Sequence, residues 1–491
     1  MPSSKTIYIE TLGCQMNALD SELVFGELAA RGFKQTDDMM GASLVVLNTC
    51  SVRQHAEEKV YSRLGQLKGE PDRNPEQIVA VIGCMAERDA DGLLARTPHV
   101  DILCGPNELH RLTALVEDAE SGRRPAVALS GGLRDRSSDP AHEPHHADLE
   151  SFDSSRAFNL SDHVATPKIF GRRQAYVRIT RGCNKYCAFC VVPYTRGPEV
   201  HRHPDRIVAE VRRLADAGVV EVTLLGQTVN HYHYKDDRDC DGTTFARLLR
   251  RVHDEVPRLP RLRFVTSYPR DFTDRTLQVM AESPRICNYL HLPAQSGSNT
   301  VLKRMNRGYT VEDYQALIER ARSVMPDISL AGDMIVGFCG ETEDDFQRSL
   351  DLLRLARYKN CFVFKYSPRP GTKAVARLQD DVPEEVKRRR NSEMLSLQAE
   401  ISMDNHRAMF GQTVEVLVEG RSKAALKELG TVGQDENGRA PSGPFSGQLV
   451  GRTRGDQIVV LDGKPEMIGR FVRVRITAAT PYTLQGTVVA H

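Results

Sequence analysis

The chain has 491 residues, 40% of them hydrophobic and 27% charged, with 66 Lys and Arg against 65 Asp and Glu for a net charge of +1. That length exceeds what a single hydrophobic core fills, so two to four domains are expected. The balance excludes a disordered or supercharged chain, and any nucleic-acid contact must come from local basic patches. No apolar run nears the roughly 20 residues that cross a bilayer, and the start "MPSSKTIYIETLGC" has no signal-peptide pattern, so a cytoplasmic protein with reduced thiols is expected.

The first 121 residues alternate short apolar runs with polar, helix-like segments. The runs are "TIYIETLGC" (Thr6 to Cys14), "SLVVLNTC" (Ser43 to Cys50), "QIVAVIGC" (Gln77 to Cys84) and "HVDILCG" (His99 to Gly105). That pattern predicts βα units and a parallel sheet. Ligands gather at the carboxyl ends of such strands, so Cys14, Cys50 and Cys84 are expected along one edge. Cys104 fits the same geometry, and spacing does not exclude it. Residues 122–168 change to a polar, Ser/Asp/His-rich composition and read as a linker. Its histidines His142, His145 and His146 are metal-capable, but a solvated linker is the simpler reading.

From Ala175 strand-like runs recur six times: "AYVRIT", "VEVTLLG", "RLRFVTS", "YLHLPAQS", "SLAGDMIVGF" and "NCFVFKYS". Amphipathic stretches such as "PDRIVAEVRRLADAG" separate them, which predicts a six-unit β/α barrel over 169–406. From residue 407 the chain alternates with period two, as in "TVEVLVEG" and "RFVRVRIT", and predicts a small antiparallel β domain over 407–491. In the second run Val472, Val474 and Ile476 share one face, and Arg473 and Arg475 the other. Charge alone divides that basic face evenly between a solvated surface and an RNA platform.

The loop after the first barrel strand reads "RGCNKYCAFC", placing Cys183, Cys187 and Cys190 as C-x3-C-x2-C. A structural zinc needs a fourth ligand, for which His201 or His203 is the nearest candidate. A cubane of four irons held by three cysteines instead leaves one iron open, and an open metal position is where chemistry occurs.

This loop and its six-unit barrel resemble the radical S-adenosylmethionine (SAM) superfamily. The resemblance implies that SAM chelates the open iron and is cleaved to a 5′-deoxyadenosyl radical. "DMIVGFCGE" (Asp333 to Glu341) is similar to the superfamily's Ile-x-Gly-x-x-Gly-Glu strand along the adenine, with Cys339 where proline is usual. "LLGQTVNHY" looks like the loop that helps seat SAM. Phe189, Gly226, Gln227, Gly337 and Glu341 are the cofactor-binding residues so implied.

"TLGCQMN", "LNTCSVR", "VIGCMAER", "GCNKYCAFCVVPYTRGPE" and "HLPAQSGS", followed by a small β tail, together resemble the methylthiotransferases over all but the linker. That family implies a flavodoxin-like N-terminal domain, an open (β/α)6 core and an OB-like TRAM barrel. It implies two [4Fe-4S] clusters, one on Cys183, Cys187 and Cys190 and one on Cys14, Cys50 and Cys84, with Cys104 matching no motif. "NTCSVR" and "CNKYCAFCVVPYTRGPE" are most similar to the branch that puts a methylthio group on carbon 2 of isopentenyladenosine, 3′ of the tRNA anticodon. The implied partners are the anticodon stem-loop, an electron donor and a sulfur source, with no membrane and a monomer favoured. No general base is implied. A sister methylthiotransferase acting on threonylcarbamoyladenosine or a ribosomal protein, and a non-enzymatic Fe–S RNA-binding scaffold, are the alternatives.

Overall fold

The computed structural model describes residues 5–51, 54–70, 72–130, 152–153, 173–236, 239–426 and 447–489. The linker histidines His142, His145 and His146 lie outside the described residues. No helix among the described residues is long and apolar enough to cross a membrane.

The N-terminal sheet holds β1 (Thr6–Leu12), β2 (Lys34–Gln35), β3 (Leu44–Thr49), β4 (Ile78–Gly83), β5 (Ile102–Cys104) and β6 (Ala126–Ala128). All six pair in parallel, in the order β2-β1-β3-β4-β5-β6. Every residue of β3 and β4 is buried, as expected of strands covered on both faces. Helices α1 (Gln15–Ala30) and α4 (Leu112–Glu120) cover one face, while α2 (Gln54–Gly69) and α3 (Cys84–Arg96) cover the other, giving two cores. Strand β6 lies inside the segment read from sequence as linker, so the sheet extends past residue 121. Its three residues, Ala-Val-Ala, carry little of the apolar bulk that marks the strands read from the sequence. A second correction to the linker reading is Asp153, which is buried among arginines of the next domain.

The barrel is built from β7 (Gln174–Arg178), β10 (Glu221–Leu225) and β13 (Arg261–Val265) in one parallel sheet, and β14 (Tyr289–His291), β15 (Ser329–Val336) and β16 (Asn360–Lys365) in another. A bridge between Leu262 and Ile286 joins the two. These are the six strands read from the sequence. Two short hairpins, β8 (Thr180–Arg181) with β9 (Val200–His201) and β11 (His233–Asp236) with β12 (Asp239–Thr244), were not foreseen. One continuous core runs from Ala175 to Ile401 and includes the helix Glu384–Arg407.

The tail is a closed barrel, β17 (Thr413–Arg421), β18 (Gly447–Arg452), β19 (Ile458–Gly463), β20 (Phe471–Ala479) and β21 (Leu484–Val488), in the order β17-β18-β19-β21-β20. Val474 and Ile476 are buried, Val472 is half-buried, and Arg473 and Arg475 are exposed, as the alternation predicts. The β18–β19 turn enters the amino-terminal end of the large barrel. There Arg263 donates to Thr453 O, Arg261 Nη2 donates to Glu415 at 2.9 Å, and Lys359 Nζ pairs with Asp456 at 2.6 Å. A cavity of about 840 Å³ lies at that end, lined by Tyr176, Arg263, Lys359 and Tyr482 among others. It sits away from the carboxyl ends of the strands, where the cysteines are.

Candidate metal centres and cofactor cleft

The three cysteines after β7 are placed by the turn that precedes them. Gly182 has φ +70°, and a Cβ there would fall 1.9 Å from Pro198 O, so only glycine lets the loop close on itself. Cys183 N–H then donates to Gly197 O at 3.2 Å. Cys183 and Cys187 are buried and Cys190 half-buried. Burial pushes the Cys183 thiol up to about 11 and the Cys190 thiol up as well, so a bound cation is needed to hold them as thiolates.

Arg307, buried and distant in sequence, donates from Nη1 to Cys187 Sγ at 3.3 Å and from Nη2 to Pro293 O at 2.8 Å. Its cation also lies over the Tyr268 ring at 4.6 Å. Nothing in the sequence singled it out, because the contact is made across the barrel rather than along the chain.

The residues expected to seat SAM lie around this loop. Phe189 packs edge-on to Phe338, 6.4 Å between centroids, which joins the cysteine loop to the "GFCGE" strand. Gly337 has φ +70°, and a Cβ there would meet Lys387 at 2.3 Å. Gly226 follows β10 where a Cβ would fall 2.1 Å from Thr180 Oγ1. Thr180 Oγ1, Gln227 Oε1 and Ser267 Oγ, after three neighbouring strands, are buried without a hydrogen-bond partner. Three orphaned polar atoms at one barrel end fit a polar small molecule there. Glu341 Oε2 accepts from Gly337 N at 2.5 Å and from Arg390 Nη1 at 2.8 Å, its Oε1 is buried without a hydrogen-bond partner, and burial pushes the carboxyl up to about 7. Its contacts hold the strand turn. Cys339 is buried in the small cluster with Phe338 and Tyr366, as packing requires.

The N-terminal cysteines come from three strand ends. Cys14 follows β1 and caps α1, Cys50 follows β3, and Cys84 opens α3, so two of the three stand at helix amino ends, which favour anionic ligands. A buried asparagine pair sets the spacing: Asn17 Nδ2 donates to Asn48 Oδ1 at 2.9 Å and to Thr49 O at 3.0 Å, while Asn48 Nδ2 returns a bond to Asn17 O at 2.8 Å. Both asparagines lie inside motifs quoted above, yet only the fold reveals them as the brace. A hydrogen bond with Cys50 holds the Cys14 thiol down at about 6, and the Arg196 cation adds to this against burial. Arg196 also feels Cys84, and Arg369 feels Cys50. Both arginines belong to the barrel domain, so this trio faces the barrel. Cys104 is buried in the sheet core, its thiol raised well above the usual range by desolvation.

A buried ion lattice fastens the two domains beside this trio. Asp20 of α1 pairs with Arg178 and, at 2.9 Å, with Arg196, while Asp153 lies 2.8 Å from Arg181 and 3.2 Å from Arg178.

A single zinc holds thiolates at about 2.3 Å each, which keeps their sulfurs within about 4 Å of one another. Among the described residues neither cysteine trio has its sulfurs all within 4.8 Å. One trio has a guanidinium on Cys187 and the other is flanked by two, which suits the negative charge of a cluster held by three thiolates.

Residues 6–105 match the description "Uncharacterized protein family UPF0004", residues 177–353 "Radical SAM superfamily" and residues 437–489 "TRAM domain". A tRNA-2-methylthio-N(6)-dimethylallyladenosine synthase of Rhodopirellula baltica is 46% identical, over 99% of this chain and 96% of that protein. One of the same name from Syntrophotalea carbinolica is 40% identical, over 97% and 98%. Among solved structures, a radical S-adenosylmethionine methyltransferase from Kitasatospora setae, with cobalamin and a [4Fe-4S] cluster bound, shares the fold at TM-score 0.51. It is 16% identical, with 75% of this chain and 74% of that one covered.

Proposed function

The chain belongs to the tRNA-2-methylthio-N(6)-dimethylallyladenosine synthases, and on that premise we propose how its residues divide the reaction between them. The enzyme methylthiolates carbon 2 of dimethylallyl-modified adenosine in tRNA, using SAM and [4Fe-4S] clusters. A sister specificity or a scaffold role is not favoured by relatives that share this name along their whole length. When bound, the clusters and SAM supply a carbon radical able to attack an unactivated aromatic C–H bond, and a sulfur to place there.

The residues do the rest. Cys183, Cys187 and Cys190 would hold the radical-forming cluster, with the Arg307 N–H on Cys187 offsetting its negative charge. Thr180, Gln227 and Ser267 offer unpaired polar atoms to SAM, and Gly226 and Gly337 keep side chains out of its path. Phe189 and Phe338 wall the cleft against water. Glu341 positions Gly337 through one carboxylate oxygen and offers its other, unpaired oxygen to the cofactor. Cys14, Cys50 and Cys84 would hold the sulfur-presenting cluster, neutralised by Arg196 and Arg369 from the other domain. The Asp20 lattice fixes one centre against the other. No side chain needs to act as a general base.

We place the target nucleoside 3′ of the anticodon and the enzyme in the cytoplasm with its tRNA. An electron donor and a sulfur source complete the set of partners.

The observation that supports this reading is the presence of two cysteine trios, one on the loop after β7 and one at the strand ends of the N-terminal sheet, the latter beside Arg196 and Arg369 of the barrel domain. Nucleoside mass spectrometry of tRNA from a strain lacking the protein tests it. Loss of 2-methylthio-isopentenyladenosine with accumulation of isopentenyladenosine is expected. Loss of a methylthio group from threonylcarbamoyladenosine instead, with the isopentenyl nucleoside intact, would contradict it.

A further inference from the structure

Beside the radical-cluster loop stands a third group of potential metal ligands, without cysteine. Glu199 stands immediately before β9, and His201 ends that strand, two residues on. His231 closes the short turn Val229–His231 after β10. One ligand atom from each lies within 4.8 Å of the other two, the only such trio among the described residues. The Glu199 carboxylate is fully buried. One of its oxygens accepts from Thr228 Oγ1 at 2.8 Å, and the other lies 2.5 Å from His231 Nδ1. The two imidazole rings are 6.2 Å apart, tilted by 57°. His201 Nδ1 is buried and has no hydrogen-bond partner.

An ion pair between Glu199 and His231 accounts for two members of this trio. It does not account for the third. A second imidazole brought to the same point with a buried, unpaired ring nitrogen costs free energy unless something accepts its lone pair or its proton. Two imidazoles and one carboxylate form a donor set suited to zinc and its neighbours among the divalent transition metals. Three protein ligands leave one coordination position open. The carboxylate is oriented by the Thr228 hydroxyl, as ligands of metal sites commonly are.

We propose that Glu199, His201 and His231 form a mononuclear site for a divalent transition metal of the zinc class, separate from both cysteine trios. The cation ties the loop after β7 to the loop after β10. Glu199 N–H donates to Asn184 Oδ1 at 3.1 Å, next to Cys183, so the tie reaches the cysteine loop itself. His231 is partly exposed, which gives the ion a route in.

Zinc is the probe. The anaerobically reconstituted full chain is equilibrated with micromolar zinc, desalted, and measured for iron and zinc by mass spectrometry. About one zinc per chain, in addition to the cluster iron, is expected. His201→Ala, His231→Ala and Glu199→Gln should each lose that zinc about tenfold while keeping their iron, and His203→Ala should retain both. Zinc equal in the parent and in His201→Ala/His231→Ala overturns the site. Iron reports folding, so a variant that loses iron too is set aside. The zinc X-ray absorption edge of the unaltered protein then decides: nitrogen and oxygen scattering alone supports the site, and sulfur scattering, which places zinc in a cysteine trio, overturns it. The cysteine assignments stand or fall by iron content and are separate from this readout.

Discussion

The two cysteine trios reach the same chemistry by opposite construction. Cys183, Cys187 and Cys190 lie within eight residues on one loop, closed by Gly182 against Pro198, and are held by a single distant cation, Arg307. Cys14, Cys50 and Cys84 come from three strand ends spread over seventy-one residues and are gathered by the sheet, two helix ends and the Asn17–Asn48 brace. The first is mostly buried, and burial drives the Cys183 and Cys190 thiols up. The second includes Cys14, whose thiol is held down by its neighbour Cys50. A loop site carries its own geometry. A strand-end site borrows its geometry from the whole domain, and from the next domain through Arg196 and Arg369.

The contrast can be broken at several points. Replacing Cys183, Cys187 and Cys190 together with Ala has the largest expected effect. Iron should fall from about eight to about four per chain, and SAM cleavage should cease. Cleavage retained at the parent rate would remove the loop trio from the reaction.

Asp20→Asn strikes the distributed site without touching a cysteine. It leaves Arg196 without its carboxylate and Arg178 with only Asp153. Breaking a buried pair costs about 3–5 kcal/mol, so denaturant unfolding should show a loss of that order. A loss under about 1 kcal/mol, the scale of a surface pair, would show that the lattice does not fasten the domains.

Glu341 sharpens the loop side of the comparison through pH. Its folded carboxyl is raised from 4.5 to about 7, so its stabilising effect is full below 4.5 and lost as pH rises through about 7. Glu341→Gln stays neutral throughout, so its stability relative to the parent should increase between pH 5 and pH 8. Parallel unfolding profiles over that range would contradict the assignment.

The smallest effect belongs to the tail. Arg473→Ala/Arg475→Ala should flatten the salt dependence of tRNA binding by up to about two in the log–log slope. Arg475 should account for more of it, because Arg473 stands opposite Glu415. Unchanged slopes would make that face plain solvated surface. Deleting the tail outright is a poorer test, since it strips partners from Arg261, Arg263 and Lys359 at the base of the barrel.

Much of this was legible in the sequence because it is local. The loop cysteines, the glycines of "GFCGE" and the alternation in "RFVRVRIT" each declare themselves within ten residues. All six barrel strands fall on the apolar runs read from the sequence. The brace of Asn17 with Asn48, the reach of Arg307 and the burial of Asp153 are tertiary contacts, and polar residues that serve them look like any surface polar residue until the fold closes over them. Strand β6 escaped because its Ala-Val-Ala offers little apolar bulk beside the runs that were read as strands. Glu341, read as a cofactor contact from its shared motif, also ties one carboxylate oxygen to its own backbone and to Arg390, contacts that only the fold reveals.

The division of labour between the trios is tested most directly by the Cys14→Ala/Cys50→Ala/Cys84→Ala variant, reconstituted anaerobically and supplied with SAM, reductant and isopentenylated tRNA. Deoxyadenosine and 2-methylthio nucleoside are measured in the same reaction. The expected result is about half the iron, continued deoxyadenosine formation, and no methylthio product. Methylthiolated tRNA from this variant, or loss of SAM cleavage with the loop cluster intact, would contradict two centres with separate tasks.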